Sequence, residues 1–133
     1  LVDDILSSLT CPGLIIRTNV WKTLKDPTSG VYWHLETDIV LNFGVHRICI
    51  LCDGQAFHGR TSYFCGDTVD RDEKKAKILS LYNPFVFRYS DTEIYNHEAV
   101  SHLNAVIAAL EKGDLVAPYR NWMSQPLHTL DAR

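Results

Sequence analysis

The spacing of apolar residues changes several times along the chain, and each change marks a predicted element. Val2, Ile5, Leu6 and Leu9 recur at helical intervals, and Cys11-Pro12-Gly13 stops that helix. Leu14-Ile15-Ile16 is a short apolar run that opens a strand or a helix, and Lys25-Asp26-Pro27-Thr28-Ser29-Gly30 has the composition of a loop. Tyr32 to Phe43 reads as a strand with Asp38 at the head of Ile39-Val40-Leu41, and Asn42-Phe43-Gly44 reads as a hairpin turn. Arg47 to Cys52 is almost continuously apolar, the pattern of a central strand covered on both faces.

Gly59 to Gly66 reads as a loop. Thr68 is then expected to cap a helix running to about Tyr82, with Val69, Ala76, Leu79 and Tyr82 on its apolar face and Asn83-Pro84 as its stop. Phe85 to Tyr89 is a strand. A further helical region begins at Asp91 or Thr92, continues as an amphipathic stretch from Glu98 to Leu110, and closes at Gly113. Helix, two or three strands, helix, strand, helix predicts an α/β fold: a mixed central sheet with helices on both faces. Its core is expected over about residues 32–112, followed by a tail over 113–133 that wraps the core or docks on a partner.

Composition narrows this picture. A chain of 133 residues with 46% hydrophobic residues builds one domain with a real core. No apolar run approaches the roughly 20 residues of a membrane span. The acidic start Leu1-Val2-Asp3-Asp4 is unlike a secretory leader, so an intracellular, cytoplasmic location is expected, with no membrane partner. The chain lacks an initiator Met and is expected to be a piece of a larger protein whose other domains are possible partners. The four cysteines, 11, 49, 52 and 65, are read as free thiols rather than disulfides. A net charge of −3 argues against a broad non-specific nucleic-acid binder, so any basic contact surface has to be local.

The candidate chemistry gathers around the end of the apolar strand. Asp38 and Asp53 stand at the ends of two strands expected to pair, where adjacent carboxylates can approach each other. Such a pair suits Mg²⁺ (or Mn²⁺), which takes one or two carboxylates and fills its remaining positions with water. On an extended strand Asp53 and Gln55 share a side, and His58 follows a glycine that permits a sharp turn back, as a general acid or base. A metal that polarises a phosphate and activates water, with a histidine moving protons, is the logic of phosphodiester hydrolysis.

These residues resemble a family. Asp38-Ile39-Val40-Leu41 followed by Ile50-Leu51-Cys52-Asp53-Gly54-Gln55-Ala56-Phe57-His58 is similar to the very-short-patch-repair branch of the PD-(D/E)XK, restriction-endonuclease-like superfamily. Asp72, Lys75, Leu79 and Asn83 stand where related nuclease-like domains carry D-x-x-R-x-x-x-L-x-x-x-G, and Arg88 falls where their next strand carries arginine. The likeness runs over roughly residues 36 to 110. It implies a restriction-endonuclease-like sheet and a metal site at Asp38 and Asp53 with the Cys52 carbonyl as a further ligand. His58 takes an acid–base role in it, Gln55 orients water or phosphate, and DNA is the expected partner. An acidic residue of the first helix, Asp3 or Asp4, could complete the site. The chain departs from the pattern at Leu51, where relatives carry glutamate, at Gln55 in place of lysine, at Lys75 in place of arginine and at Asn83 in place of glycine.

Other readings stand beside this one. Asp53-Gly54 is also a common turn signal. The Arg71, Lys74, Lys75, Lys77 run is either a solvated helix face or, with Arg88, a contact to a phosphate backbone. Cys49-x-x-Cys52 with His58 and Cys65 has zinc-ligand composition, but residues three apart on a strand face opposite sides. Without the glutamate and lysine, the chain could be an inactive nuclease-fold module for binding nucleic acid or protein. A third possibility is a nuclease toxin domain of a larger secreted protein.

Overall fold

The computed structural model describes residues 13–53, 65–114, 116 and 119–120, with only the backbone described at 53, 65–72 and 119–120. The predicted first helix and most of the C-terminal tail lie outside these residues. Three strands come first: β1 (Ile15–Lys25), β2 (Tyr32–Phe43) and β3 (His46–Asp53). Helix α1 (Cys65–Tyr82) leads to β4 (Phe85–Ser90), then to the short α2 (Asp91–Tyr95), to α3 (Glu98–Glu111) and to a two-residue strand, β5 (Tyr119–Arg120).

One mixed sheet holds all five strands in the order β1-β2-β3-β4-β5. The first three pair antiparallel, whereas β4 lies parallel to β3 after the α1 crossover. Gly44 takes the positive φ that the tight β2–β3 turn requires, and Phe43 pairs with His46 across it. The apolar run of β3 reads as the sequence predicts. Ile48, Cys49, Ile50 and Leu51 are all at most 2% exposed, because helices cover both faces of this central strand.

The two faces carry separate clusters. Ile39, Leu41, Ile48, Ile50, Phe87 and Tyr89 pack against Ile94 of α2 and Leu103, Val106 and Ile107 of α3. On the other face Val40, Cys49, Leu51 and Val86 pack against Ala76, Ile78 and Leu79 of α1. The predicted α/β sheet with helices on both sides is therefore present.

Several boundaries differ from the sequence reading. The α1 helix begins at Cys65, three residues before the expected cap Thr68. The last helical region is divided, because His97 adopts a left-handed conformation between α2 and α3. The start of α2 is fixed by a capping box: the Ser90 hydroxyl accepts from Glu93 N–H at 3.2 Å and the Glu93 carboxylate accepts from Ser90 N–H at 3.0 Å.

The eleven-residue β1 is the largest departure, since only its opening Ile15-Ile16 was legible as a possible strand. Its side chains are mostly exposed, so no two-residue apolar alternation betrays it. It also carries an irregularity. Thr18 pairs with Ile39 and Val20 with Thr37, which sets Asn19 opposite Asp38, and Asn19 has a left-handed φ of 52°. Across this pair the alternation reverses: Leu35 and Val40, five residues apart, both join the α1-side cluster. A left-handed residue turns the strand as a bulge does, redirecting the side chains beyond it.

The far end of the β1–β2 hairpin is tied to α1. Lys74 Nζ lies 3.0 Å from Asp26 Oδ2, and the Tyr82 hydroxyl donates to the Lys25 carbonyl at 2.6 Å.

Candidate functional site

Sheet geometry brings Asp38 and the end of β3 together. The β2–β3 ladder runs from Phe43–His46 as far as Ile39–Ile50 and ends there, one residue short of Asp38. Beyond it the Asp38 side chain takes over the role of the backbone: its Oδ2 accepts the Cys52 N–H at 2.8 Å. Asp38 is half-buried, so the bond satisfies a backbone donor that the diverging strands leave without a ladder partner. Cys52 immediately precedes Asp53, whose backbone pairs with Ser90 at the carboxyl ends of the parallel strands β3 and β4. The ends of parallel strands are where open α/β sheets present their ligand crevices.

The Asp53 side chain lies outside the described residues, as do Gln55, His58, Asp3 and Asp4. Asp38 and the Cys52 backbone are thus the sequence-predicted groups that the structure brings together. Among the described residues no group of three or more His, Cys, Asp or Glu side chains is arranged to hold a metal ion.

The expected nucleic-acid contacts separate. Lys74 is committed to Asp26, and Lys75 is half-buried on α1. Arg88 is 1% exposed, engaged within the fold, and paired in register with Leu51. A guanidinium closed off from solvent cannot serve as a surface contact to a phosphate backbone, so that expectation for Arg88 is corrected to a structural role. Lys74 likewise acts first as an ion-pair partner. The Asp26 carboxyl is held below the usual carboxylate range mainly by its bond to Lys74, aided by Thr28 N–H and the Ser29 hydroxyl.

Cys49 and Cys52 fall on opposite sides of the sheet: Cys49 belongs to the α1-side cluster and Cys52 packs against the α3-side one. They cannot face a common zinc ion. Burial pushes the Cys49 thiol up, with Arg47 and Lys22 nearby opposing the shift.

A second charged feature was not foreseen. A hollow of about 320 Å³ opens on the α1 side of β1, β2 and β3, lined by Arg17, Lys22, Arg47 and Asn42 over a floor that includes Val20 and Val40. Arg17 and Lys22 have opposite parity on β1, so simple alternation places them on opposite faces. They share one hollow because the strand turns over at Asn19. The Arg47 Nε is buried with no hydrogen-bond partner among the described residues.

No family model, curated protein or solved structure matches the chain.

Proposed function

We propose that the chain is a metal-dependent nuclease domain that hydrolyses phosphodiester bonds, with DNA as its expected substrate. One observation carries the reading: the Asp38 carboxylate lies against the Cys52 N–H, beside Asp53, at the carboxyl ends of the parallel strands. Two acidic positions far apart in sequence thereby belong to one corner of the sheet.

The chemistry of this corner fits a hard divalent cation. Its donors are carboxylate and carbonyl oxygens, and an ionised carboxylate has lone pairs to offer beyond the one that accepts Cys52 N–H. Asp38 and Asp53 would hold Mg²⁺ or Mn²⁺, with the Cys52 carbonyl as a further ligand. When bound, such an ion polarises the phosphate and lowers the pKa of a bound water. The chain's own part is to fix Asp38 through the Cys52 N–H, to move a proton at His58 and to orient water or phosphate with Gln55.

A second reading, a non-catalytic nuclease-fold module, is favoured by Leu51. This position, where the resembling family carries glutamate, is an apolar residue 2% exposed in the α1-side core. Incubation with plasmid, linear and single-stranded DNA and with RNA, in Mg²⁺ or Mn²⁺ against EDTA, separates the two. Cleavage that EDTA abolishes is the expected result. Intact substrate under every condition leaves the binding module as the function.

A further inference from the structure

The hollow beside β1 concentrates positive charge in a chain whose net charge is −3. Three of its lining residues are cations, Arg17, Lys22 and Arg47, and none is a carboxylate. Among the described residues none of the three has an ion-pair partner, whereas Lys74 on the same side of the sheet is neutralised by Asp26. Like charges repel across a shared hollow, and the buried Nε of Arg47 has no acceptor among the described residues. An anion seated there offsets that repulsion.

We propose that this hollow holds the phosphate backbone of a nucleic acid. Arg17 and Lys22 sit on β1 and Arg47 on β3, on either side of β2, so their charges spread over a surface rather than converge on one point. That spread suits a chain of phosphates better than a single one. The floor of Val20 and Val40 receives the apolar faces of sugars, and the Asn42 amide offers a donor to sugar or phosphate oxygens. Position fits as well. Val40 in the floor is two residues from Asp38 along β2, roughly 7 Å on an extended strand. A backbone lying in the hollow therefore runs toward the acidic corner. The proposal deepens the nuclease reading and rests on it for the identity of the polyanion. It also moves nucleic-acid contact from Lys74 and Arg88 to the surface formed by β1, β2 and β3.

The test is fluorescence anisotropy of short labelled DNA and RNA, single-stranded and duplex, with the full chain in EDTA over a range of salt. Arg17→Gln, Lys22→Gln and Arg47→Gln are compared with Lys112→Gln on the far side of the fold. Each substitution in the hollow is expected to weaken binding by about three- to tenfold and to make the salt dependence shallower by about one phosphate contact, with no change for Lys112→Gln. Lys22 is exposed, so Lys22→Gln tests charge without disturbing the core. Polyglutamate serves as a competitor: displacement of nucleic acid only at large excess supports the proposal, and equal competition overturns it in favour of an acidic protein partner. Equal affinity for Lys22→Gln, Lys112→Gln and the unsubstituted chain also overturns it. Because metal is absent, a protein that binds through the hollow yet never cleaves upholds this proposal while refuting the catalytic reading. Metal-dependent cleavage with no effect of Lys22→Gln does the reverse.

Discussion

The Asp38 carboxylate accepts the backbone N–H of Cys52 at 2.8 Å, a contact spanning fourteen residues of sequence. It closes the β2–β3 pair where the backbone ladder stops and gives Asp38 a structural task beside its proposed role as a metal ligand. The two tasks respond differently to substitution. Asp38→Ala leaves a half-buried donor unsatisfied and is expected to cost about 1–3 kcal/mol in urea denaturation. Asp38→Asn keeps an acceptor and is expected to cost less than half of that, while abolishing metal-dependent cleavage as fully as alanine does. Equal destabilisation by both variants would show that the negative charge, not the acceptor, holds the strands.

The Asp26–Lys74 pair ties the hairpin to α1 and predicts a pH dependence. Lys74 lowers the folded-state pKa of Asp26 below its ordinary 3.8. Stability from the pair is thus fully present above that value and is lost as pH falls through the lower, folded-state one. Asp26→Asn is expected to flatten the fall in melting temperature below pH 3.8, with little further change on adding Lys74→Gln. Additive effects of the two substitutions would refute the coupling.

Ser90 ends β4 and caps α2 through the reciprocal bonds with Glu93. Ser90→Ala is expected to destabilise the chain by about 1 kcal/mol, and Ser90→Asp, which keeps an accepting cap, by less. Denaturant midpoints for the two variants measure this. A larger loss for aspartate than for alanine would mean that burial of Ser90, only 4% exposed, outweighs its capping.

Cys49 is 1% exposed and its thiol is pushed up by burial, so its thiolate is scarce at neutral pH. Alkylation by iodoacetamide, followed by fragment-ion mass spectrometry, is expected to modify the half-buried Cys52 first and Cys49 only on the timescale of global opening. Early labelling of Cys49 would show that α1 lifts from the sheet.

Much of the fold was legible because strong apolar runs dictate buried strands. Ile48 to Leu51 had to be central, and Asn83-Pro84 had to stop the helix before Phe85. Ser90-x-x-Glu93 was a readable capping box, although Asp91 and Thr92 drew attention as the helix start. β1 was hidden by exposure, since a strand whose side chains face solvent leaves no alternation. Its basic hollow was hidden twice over, because only the left-handed turn at Asn19 brings Arg17 and Lys22 to one face. Asp38 was singled out for its charge and an expected place at a strand end, whereas it lies in the middle of β2, where pairing with β3 stops but pairing with β1 continues. Its partner was not legible, because a hydrogen bond to a backbone N–H leaves no mark on the identity of Cys52. Arg88 looked like a surface contact for the opposite reason: sequence shows its charge but not its burial.

The most direct test of the proposed site compares the cleavage rate of the unsubstituted chain with that of Asp53→Asn across a Mg²⁺ titration. A rate that rises with Mg²⁺ and falls to the uncatalysed background in Asp53→Asn, with an unchanged melting temperature, is the predicted result. Cleavage that persists undiminished in Asp53→Asn, or that ignores both Mg²⁺ and EDTA, would contradict a metal-dependent site at the Asp38–Asp53 corner.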